Sequence, residues 1–321
     1  MNDFRFAVLG AGGIAGYFCE AVSLIDGVSV CAVASKSAER AESFAARYGL
    51  PRAYASYARM LEEEKPDCAY IAVTNDAHAE LVRLCLGYGI PVLCEKAFVP
   101  TRREAEELFA LAREKNLFLM EAQWARFTPA VRKAKEWLEA GRVGKARMLE
   151  ARLGFSAARD HQNRFFNPAL GGGAALDIMV YTYELTQFML GDPERAQIAA
   201  RFWETGVDAE EVVLLTYPDC IAVLETSILT RLEQNMVIYG EEGRIVLDGL
   251  HQSKSVRILD PSGALVEEFI DTRTQNGLVY EIEETVRCIR EGRIESPVVP
   301  HSLTVGSAAL YDMLWAERDR K

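Results

Sequence analysis

Short apolar runs alternate with longer amphipathic stretches through the first third of the chain. Phe4–Leu9 reads as a strand that breaks at a glycine-dense turn, Gly10-Ala11-Gly12-Gly13-Ile14-Ala15-Gly16, and the pattern restarts as an apolar helix over Tyr17–Ile25. Val28–Ala34 is a second strand, Ala38–Tyr48 a helix ended by Gly49-Leu50-Pro51, and Tyr57–Glu64 a short helix stopped by Lys65-Pro66. Cys68–Val73 is apolar throughout, which suits a strand buried on both faces. A helix over Ala77–Tyr88, a strand over Pro91–Cys94, an amphipathic helix over Arg103–Lys115 and a strand over Phe118–Ala122 complete the series. This βαβαβ rhythm is that of a doubly wound parallel sheet.

The period then changes. Pro129–Ala140 reads as a helix and Ala146–Gly154 as a strand, and the run Gly171-Gly172-Gly173 leads into a helix over Ala174–Leu190. Strand-like segments follow in succession over Arg195–Trp203, Glu210–Thr216, Ile221–Leu229, Asn235–Tyr239, Arg244–Leu247, Ser255–Leu259 and Leu265–Ile270. Turns such as Tyr217-Pro218-Asp219 and Asp260-Pro261-Ser262-Gly263 separate them. Strands in succession without helices between them predict a mainly antiparallel sheet. Two helices, Leu278–Glu291 and Ser302–Glu317, close the chain. At 321 residues the chain exceeds one comfortable core. The expectation is an α/β protein of two domains: a Rossmann domain over residues 1–122 and a second domain over 123–321, which holds the mainly antiparallel sheet and both closing helices.

Composition narrows the function classes. The net charge of −11 argues against nonspecific attraction to nucleic acid or an anionic membrane. No window approaches about 20 consecutive apolar residues, so no membrane span is expected. The N-terminus lacks the pattern of an export signal. Seven cysteines, none in a CxxC pair, read as buried free thiols of a reducing compartment, so a cytoplasmic location is expected. No metal site is expected.

The chemistry-bearing positions lie where strands end. In the first turn Gly10 permits the tight bend, Gly12 lets backbone approach a pyrophosphate, and Ala15 allows close helix–strand packing. The helix start adds unpaired N–H groups and a positive dipole end. An NAD-preferring site places a carboxylate at the end of the second strand. Here the segment reads Ala34-Ser35-Lys36-Ser37-Ala38-Glu39-Arg40, with no carboxylate at the strand end itself. Ser35, Lys36 and Arg40 form a cup for a 2′-phosphate, against the alternative of solvated residues at a helix start. The balance favours NADP(H), with NAD(H) second. After the third strand, Thr74-Asn75-Asp76-Ala77-His78 occupies the ligand-facing edge. Asn75 suits a ribose or amide contact. His78 reads either as a catalytic group or, with more weight, as a structural cap of the helix that it begins. Lys96, beside Glu95 at the mouth of a buried strand, can polarise a substrate oxygen and depress a neighbouring phenol. Asp177 and Tyr181 are four apart and share one face of an α-helix. The alternative there is a satisfied Asp and a core Tyr.

Together, the glycine turn, Thr74-Asn75…His78, Cys94-Glu95-Lys96 and the glycine run into Asp177…Tyr181 resemble the Gfo/Idh/MocA oxidoreductases over nearly the whole chain. Met120-Glu121-Ala122-Gln123-Trp124-Ala125-Arg126-Phe127, with a tyrosine at 181 where inositol dehydrogenases have histidine, is most similar to the dihydrodiol and xylose dehydrogenase branch. The resemblance implies that Lys96 and Tyr181 are the acid/base pair and that Asp177 helps to bind substrate. Trp124, Arg126 and Phe155 become pocket walls. The cofactor contacts are Gly10, Gly12, Gly13, Ile14, Ala15, Ser35, Lys36, Arg40, Thr74, Asn75, His78, Glu95 and Lys96. It also implies that residues 123–321 form a substrate-binding and dimerisation domain with an open, mainly antiparallel sheet, through which a homodimer or homotetramer is built. The expected activity is NADP(H)-dependent hydride transfer at a hydroxyl-bearing carbon of a sugar, cyclic polyol or vicinal diol. The alternatives are a non-catalytic NADP(H) sensor or scaffold and, more remotely, a methyltransferase. Two departures stand out: no proline precedes Asn75, and Ala97 replaces the family's proline after the lysine. A non-proline cis bond costs about 3 kcal/mol, so the Lys96–Ala97 peptide is expected to be trans, with Lys96 displaced.

Overall fold

The first run of elements follows the predicted alternation closely. In the computed structural model, which describes residues 3–161 and 163–319, these elements are β1 (Phe4–Leu9), α1 (Gly13–Val22), β2 (Val28–Ala34), α2 (Ala38–Tyr48), β3 (Ala53–Tyr54), α3 (Tyr57–Glu64), β4 (Cys68–Ile71), α4 (His78–Gly87), β5 (Val92–Glu95), α5 (Arg102–Lys115) and β6 (Leu119–Ala122). The outermost residues of the two predicted domain spans lie outside the described residues. All six strands pair in parallel in the order β3-β2-β1-β4-β5-β6. In such a sheet the ligand crevice lies beyond the carboxyl ends of the strands, where the strand order reverses between β1 and β4. Residues Phe6–Leu9 and Cys68–Ile71 are wholly buried, because helices cover both faces. Two readings differ. The helix after the first turn starts at Gly13 rather than Tyr17, since extended Gly12 supplies its N-cap. The two-residue β3 has no apolar run to betray it.

Contacts divide the chain into two compact units. The first comprises the chain up to Val99, Arg103–Trp124 and Gln275–Val305; the second comprises Pro100–Arg102, Ala125–Thr274 and the chain from Gly306. The helix α8 (Val279–Arg290) therefore lies in the first unit, where the sequence grouped it with the second. It buries Ile282, Val286 and Cys288. The flanking chain is tied to the first unit by Asn276 Nδ2, which donates to Tyr17 O (2.9 Å), and by Leu119 N, which donates to Ile294 O (3.1 Å). Such a return across the length of the chain leaves no mark in local periodicity. α9 (His301–Arg318) begins in this unit, with the His301 ring stacked 4.0 Å from Phe109.

In the second unit, α6 (Pro129–Glu139) and β7 (Ala146–Gly154) are followed by a wide π turn over Ala175–Met179 that runs into α7 (Val180–Leu190). The remaining strands are β8 (Arg195–Phe202), β9 (Asp208–Thr216), β10 (Ile221–Ser227), β11 (Asn235–Gly240), β12 (Gly243–Asp248), β13 (Ser255–Leu259) and β14 (Leu265–Ile270). They form one sheet with β7, in the order β14-β13-β12-β11-β7-β10-β9-β8, and every pairing is antiparallel except β7 with β10. α6 packs on β12–β14 and α7 on β7 and β10. Met148, Val212, Leu214 and Ile221 are exposed on this sheet, and Met148 is registered opposite Ile221. No helix among the described residues is long and apolar enough to cross a membrane.

Candidate active site

The β1–α1 turn is built to admit something bulky and anionic. Gly10 has φ +118°, and a Cβ there would stand 2.3 Å from the Ala72 carbonyl oxygen, so the turn closes onto the end of β4. A Cβ on Gly12 or Gly13 would meet nothing within 4 Å. Open space lies over these two residues, beside first-turn amides that have no intrahelical acceptor. Ile14 is exposed at the same helix start and Ala15 is wholly buried beneath it. The sequence reading missed Gly16: a Cβ there would lie 2.1 Å from the Tyr48 hydroxyl, so this glycine lets the end of α2 approach α1.

At the end of β2, Ser35 is buried, and its Oγ accepts weakly from Ser37 N at 3.4 Å. Lys36 and Arg40 are exposed at the start of α2, whose N-cap is Ser37. Two cations and a hydroxyl thus follow the carboxyl end of this strand, a donor set that suits a phosphate monoester.

Thr74 is exposed and Asn75 half-buried in a tight turn after β4. His78 is wholly buried. Its Nδ1 lies 3.0 Å from the carbonyl oxygens of both Ala97 and Phe98, and its Nε2 lies 3.3 Å from Val73 O. The imidazole thus ties the loop after β4 to the turn after β5. Burial pushes its pKa down, so the ring is neutral at physiological pH.

Lys96 is half-buried in that second turn. The Lys96–Ala97 peptide is cis, which corrects the trans expectation. The turn is held from several sides, by His78 on the two following carbonyls and by Glu121 Oε1, which accepts from Phe98 N at 2.9 Å. Local propensity does not record such anchors. Glu95 is 5 % exposed and its carboxyl is engaged by the Tyr70 hydroxyl. Phe18 stacks on Tyr70 at 3.7 Å, so Glu95 is directed into the core beneath Lys96. Burial raises the Glu95 carboxyl to about 7, opposed by the Tyr70 hydrogen bond and the Lys96 charge.

Trp124 ends the first unit, half-buried just after β6. In the second unit Arg126, expected as a pocket wall, is 1 % exposed. Its Nε and Nη2 donate to Glu184 O (3.2 and 2.7 Å), and Nη2 also donates to Gln187 Oε1. It is a tether for α7. Its aromatic neighbours in sequence give no hint of this, because Glu184 is nearly sixty residues away. Phe155 is half-buried, its ring 4.9 Å from Phe165 in an edge contact. Arg164 lies over the Phe165 ring at 4.0 Å, and both of its terminal nitrogens approach Asp177 Oδ1 at 3.1 Å. The glycine run makes this approach possible: a Cβ on Gly172 would stand 2.5–2.8 Å from the carbonyl oxygens of Arg164, Phe165 and Asn167.

Asp177 sits in the π turn and Tyr181 in the first turn of α7, so they do not lie on one uninterrupted α-helix. Tyr181 is 8 % exposed and stacks on the His251 ring at 4.3 Å, a partner that the sequence did not reveal. Among the described residues no group of three His, Cys, Asp or Glu is placed to hold a metal ion. Each unit therefore carries its own chemistry. The first has a dinucleotide cradle with a lysine on the same edge of the sheet; the second has a carboxylate and a phenol joined by one helix.

Comparison with known proteins finds two family models along the chain. A family model described as an oxidoreductase family with an NAD-binding Rossmann fold matches residues 4–123, and one described as the GFO/IDH/MocA C-terminal domain matches residues 131–246. The chain is 33% identical over 305 residues to mouse trans-1,2-dihydrobenzene-1,2-diol dehydrogenase, covering 92% of this chain and 91% of the relative. It is 32% identical over 298 residues to the scyllo-inositol 2-dehydrogenase (NADP(+)) IolU of Bacillus subtilis, covering 91% and 90%. A 3-ketoreductase from Actinomadura kijaniata, solved with NADP and TDP-benzene, superposes with a TM-score of 0.86 at 25% identity, covering 97% of this chain and 96% of that one.

Proposed function

The chain belongs to the Gfo/Idh/MocA oxidoreductase family, and from that premise we propose an NADP(H)-dependent dehydrogenase or reductase that acts on a hydroxyl-bearing carbon of a vicinal diol, cyclic polyol or sugar. The observation that carries the reading is the position of Lys96. It is half-buried in the turn after β5, on the edge of the sheet that also bears the glycine cradle and Asn75. Two relatives, named for a trans-diol and for scyllo-inositol, support the substrate class.

When bound, the nicotinamide supplies the two-electron chemistry. In oxidation the Tyr181 oxygen takes the proton of the reacting hydroxyl, and in reduction it returns it. The Lys96 ammonium lowers the cost of the phenolate form. Asp177 accepts hydrogen bonds from a neighbouring hydroxyl, for which substrate competes with Arg164. Gly12, Gly13 and the first amides of α1 hold the pyrophosphate. Ser35, Lys36 and Arg40 hold the 2′-phosphate, which underlies the preference for NADP(H) over NAD(H). The exposed apolar residues on the second unit's sheet support a homo-oligomer joined through that face. The seven buried free thiols fit a reducing cytoplasm.

The test is turnover of Lys96→Ala and Tyr181→Phe with NADP+ and a panel of trans-1,2-diols, scyllo-inositol and aldoses. Each should lose about 10²–10⁴-fold in kcat. Near-full turnover in both removes the assignment.

A further inference from the structure

We propose that Asp208 is a positioning residue for the helix that carries Asp177 and Tyr181, and that Glu211 holds Asp208 in place by donating a shared proton. The inference rests on the reading that Tyr181 and Asp177 serve the reaction.

Asp208 opens β9 and is wholly buried. Its Oδ2 accepts from Ala175 N at 2.6 Å, which fixes the first residue of the π turn. Ala175 leads directly to Asp177, and Tyr181 follows in the next turn. The preceding glycine is shaped to the same carboxyl. Gly173 has φ +122°, and a Cβ there would stand 2.2 Å from Asp208 Oδ1. The third glycine of the run is thereby explained: its backbone lies against the acid, and any side chain would displace it. The sheet reaches the helix start through one short hydrogen bond.

Glu211 supplies the second half. It is 2 % exposed, and its Oε2 accepts from the Thr226 hydroxyl. Asp208 Oδ1 and Glu211 Oε1 are both buried with no donor among the described residues, yet the two carboxyls lie within hydrogen-bonding reach of each other. Two buried acceptors in that relation need a proton between them, since leaving both orphaned costs each its solvation. Burial and the neighbouring Asp208 carry the Glu211 carboxyl well above the usual range, so Glu211 is the donor. The link then runs from Thr226 through Glu211 and Asp208 to the Ala175 amide.

The experiment compares Asp208→Ala, Asp208→Asn and Glu211→Gln with the wild type and Tyr181→Phe, in the full chain saturated with NADP+. Hydrogen exchange at the Ala175 amide is read beside kcat and KM on the same diol, polyol and aldose panel. In Asp208→Ala, kcat should fall about 10- to 100-fold, because a small displacement of reacting groups suffices for that loss. The NADP+ dissociation constant should stay within about twofold, and Ala175 exchange should quicken about tenfold. Asparagine keeps an acceptor oxygen and should recover most of the rate and the protection. Glutamine at 211 donates where the shared proton did and should behave as wild type. The proposal is overturned if Asp208→Ala keeps wild-type Ala175 protection or kcat. It is equally overturned if Asn is no better than Ala, with kcat, cofactor binding and unfolding falling together. If Asp208→Ala does not fold, Asp208→Asn and Glu211→Gln with Ala175 exchange still decide. Full turnover by Tyr181→Phe removes the functional reading instead, whereas an inactive Tyr181→Phe beside a fully active Asp208→Ala removes only this inference.

Discussion

His78 Nδ1 stands 3.0 Å from the carbonyl oxygen of Ala97, the residue immediately after Lys96. The ring is neutral in the folded chain because burial lowers its pKa. The unfolded chain, with an ordinary histidine near pH 6.5, takes the proton first as pH falls. The stability this group contributes is therefore present above about pH 6.5 and lost as pH drops toward the lower folded value. The Tm of His78→Gln should depend less steeply on pH than that of wild type between about pH 7 and about pH 5. Its kcat should also fall, because the turn bearing Lys96 loses its tie to Val73. An unchanged slope would mean that His78 does not titrate on unfolding.

Glu95 carries the opposite sign. Its folded value, about 7, lies above the ordinary 4.5, so its contribution to stability is present below 4.5 and is lost as pH rises through about 7. Glu95→Gln stays neutral and can still accept from Tyr70. Its Tm should exceed that of wild type by about 2 °C or more at about pH 8 and converge with it in acid. A lower Tm at alkaline pH would show that the charged form is stabilised where it sits.

Lys36 and Arg40 stand exposed at the start of α2. Lys36→Ala combined with Arg40→Ala should raise KM for NADP+ about 10- to 100-fold, the loss of charge-assisted hydrogen bonds to a phosphate. KM for NAD+ should hardly move. Equal effects on the two cofactors would place the 2′-phosphate elsewhere.

Arg126 is buried with Glu184, and removing one partner leaves the other desolvated. Arg126→Met should destabilise the protein by about 3–5 kcal/mol in urea unfolding, and Arg126→Met with Glu184→Met should recover much of that. NADP+ affinity should be unaffected. A mild stability change with a raised KM for substrate would return Arg126 to the pocket.

Leu214, 39% exposed, lies opposite Val223 on the sheet near Ile221 and Met148. Leu214→Arg places a charge in this apolar face. If the face joins copies of the chain, the mass in solution should drop to that of a monomer, as light scattering would show. An unchanged oligomer would exclude this face.

Much of the fold could be read in advance because it rests on short-range rules. β2, α2 and α3 run over the residues that hydrophobic period and turn residues mark. The glycine turn, Lys96 at a strand mouth and the cationic strand end were visible because their neighbours in sequence are also their neighbours in space. Where a role depended on a distant partner, the sequence was silent. Neither the burial of Arg126 against Glu184 nor the stacking of Tyr181 on His251 has a local sign. The same is true of α8 joining the first unit.

By itself, then, the sequence determined two α/β units, a dinucleotide cradle and the residue types available for hydride chemistry, because periodicity and turn geometry act within a few residues. The tertiary structure alone decided that the buried His78 ring meets the carbonyls after Lys96, that Glu95 turns into the core, that the Lys96–Ala97 bond is cis and that Asp177 lies within a π turn. Those outcomes depend on which buried donors meet which acceptors, and that is settled only when distant segments pack.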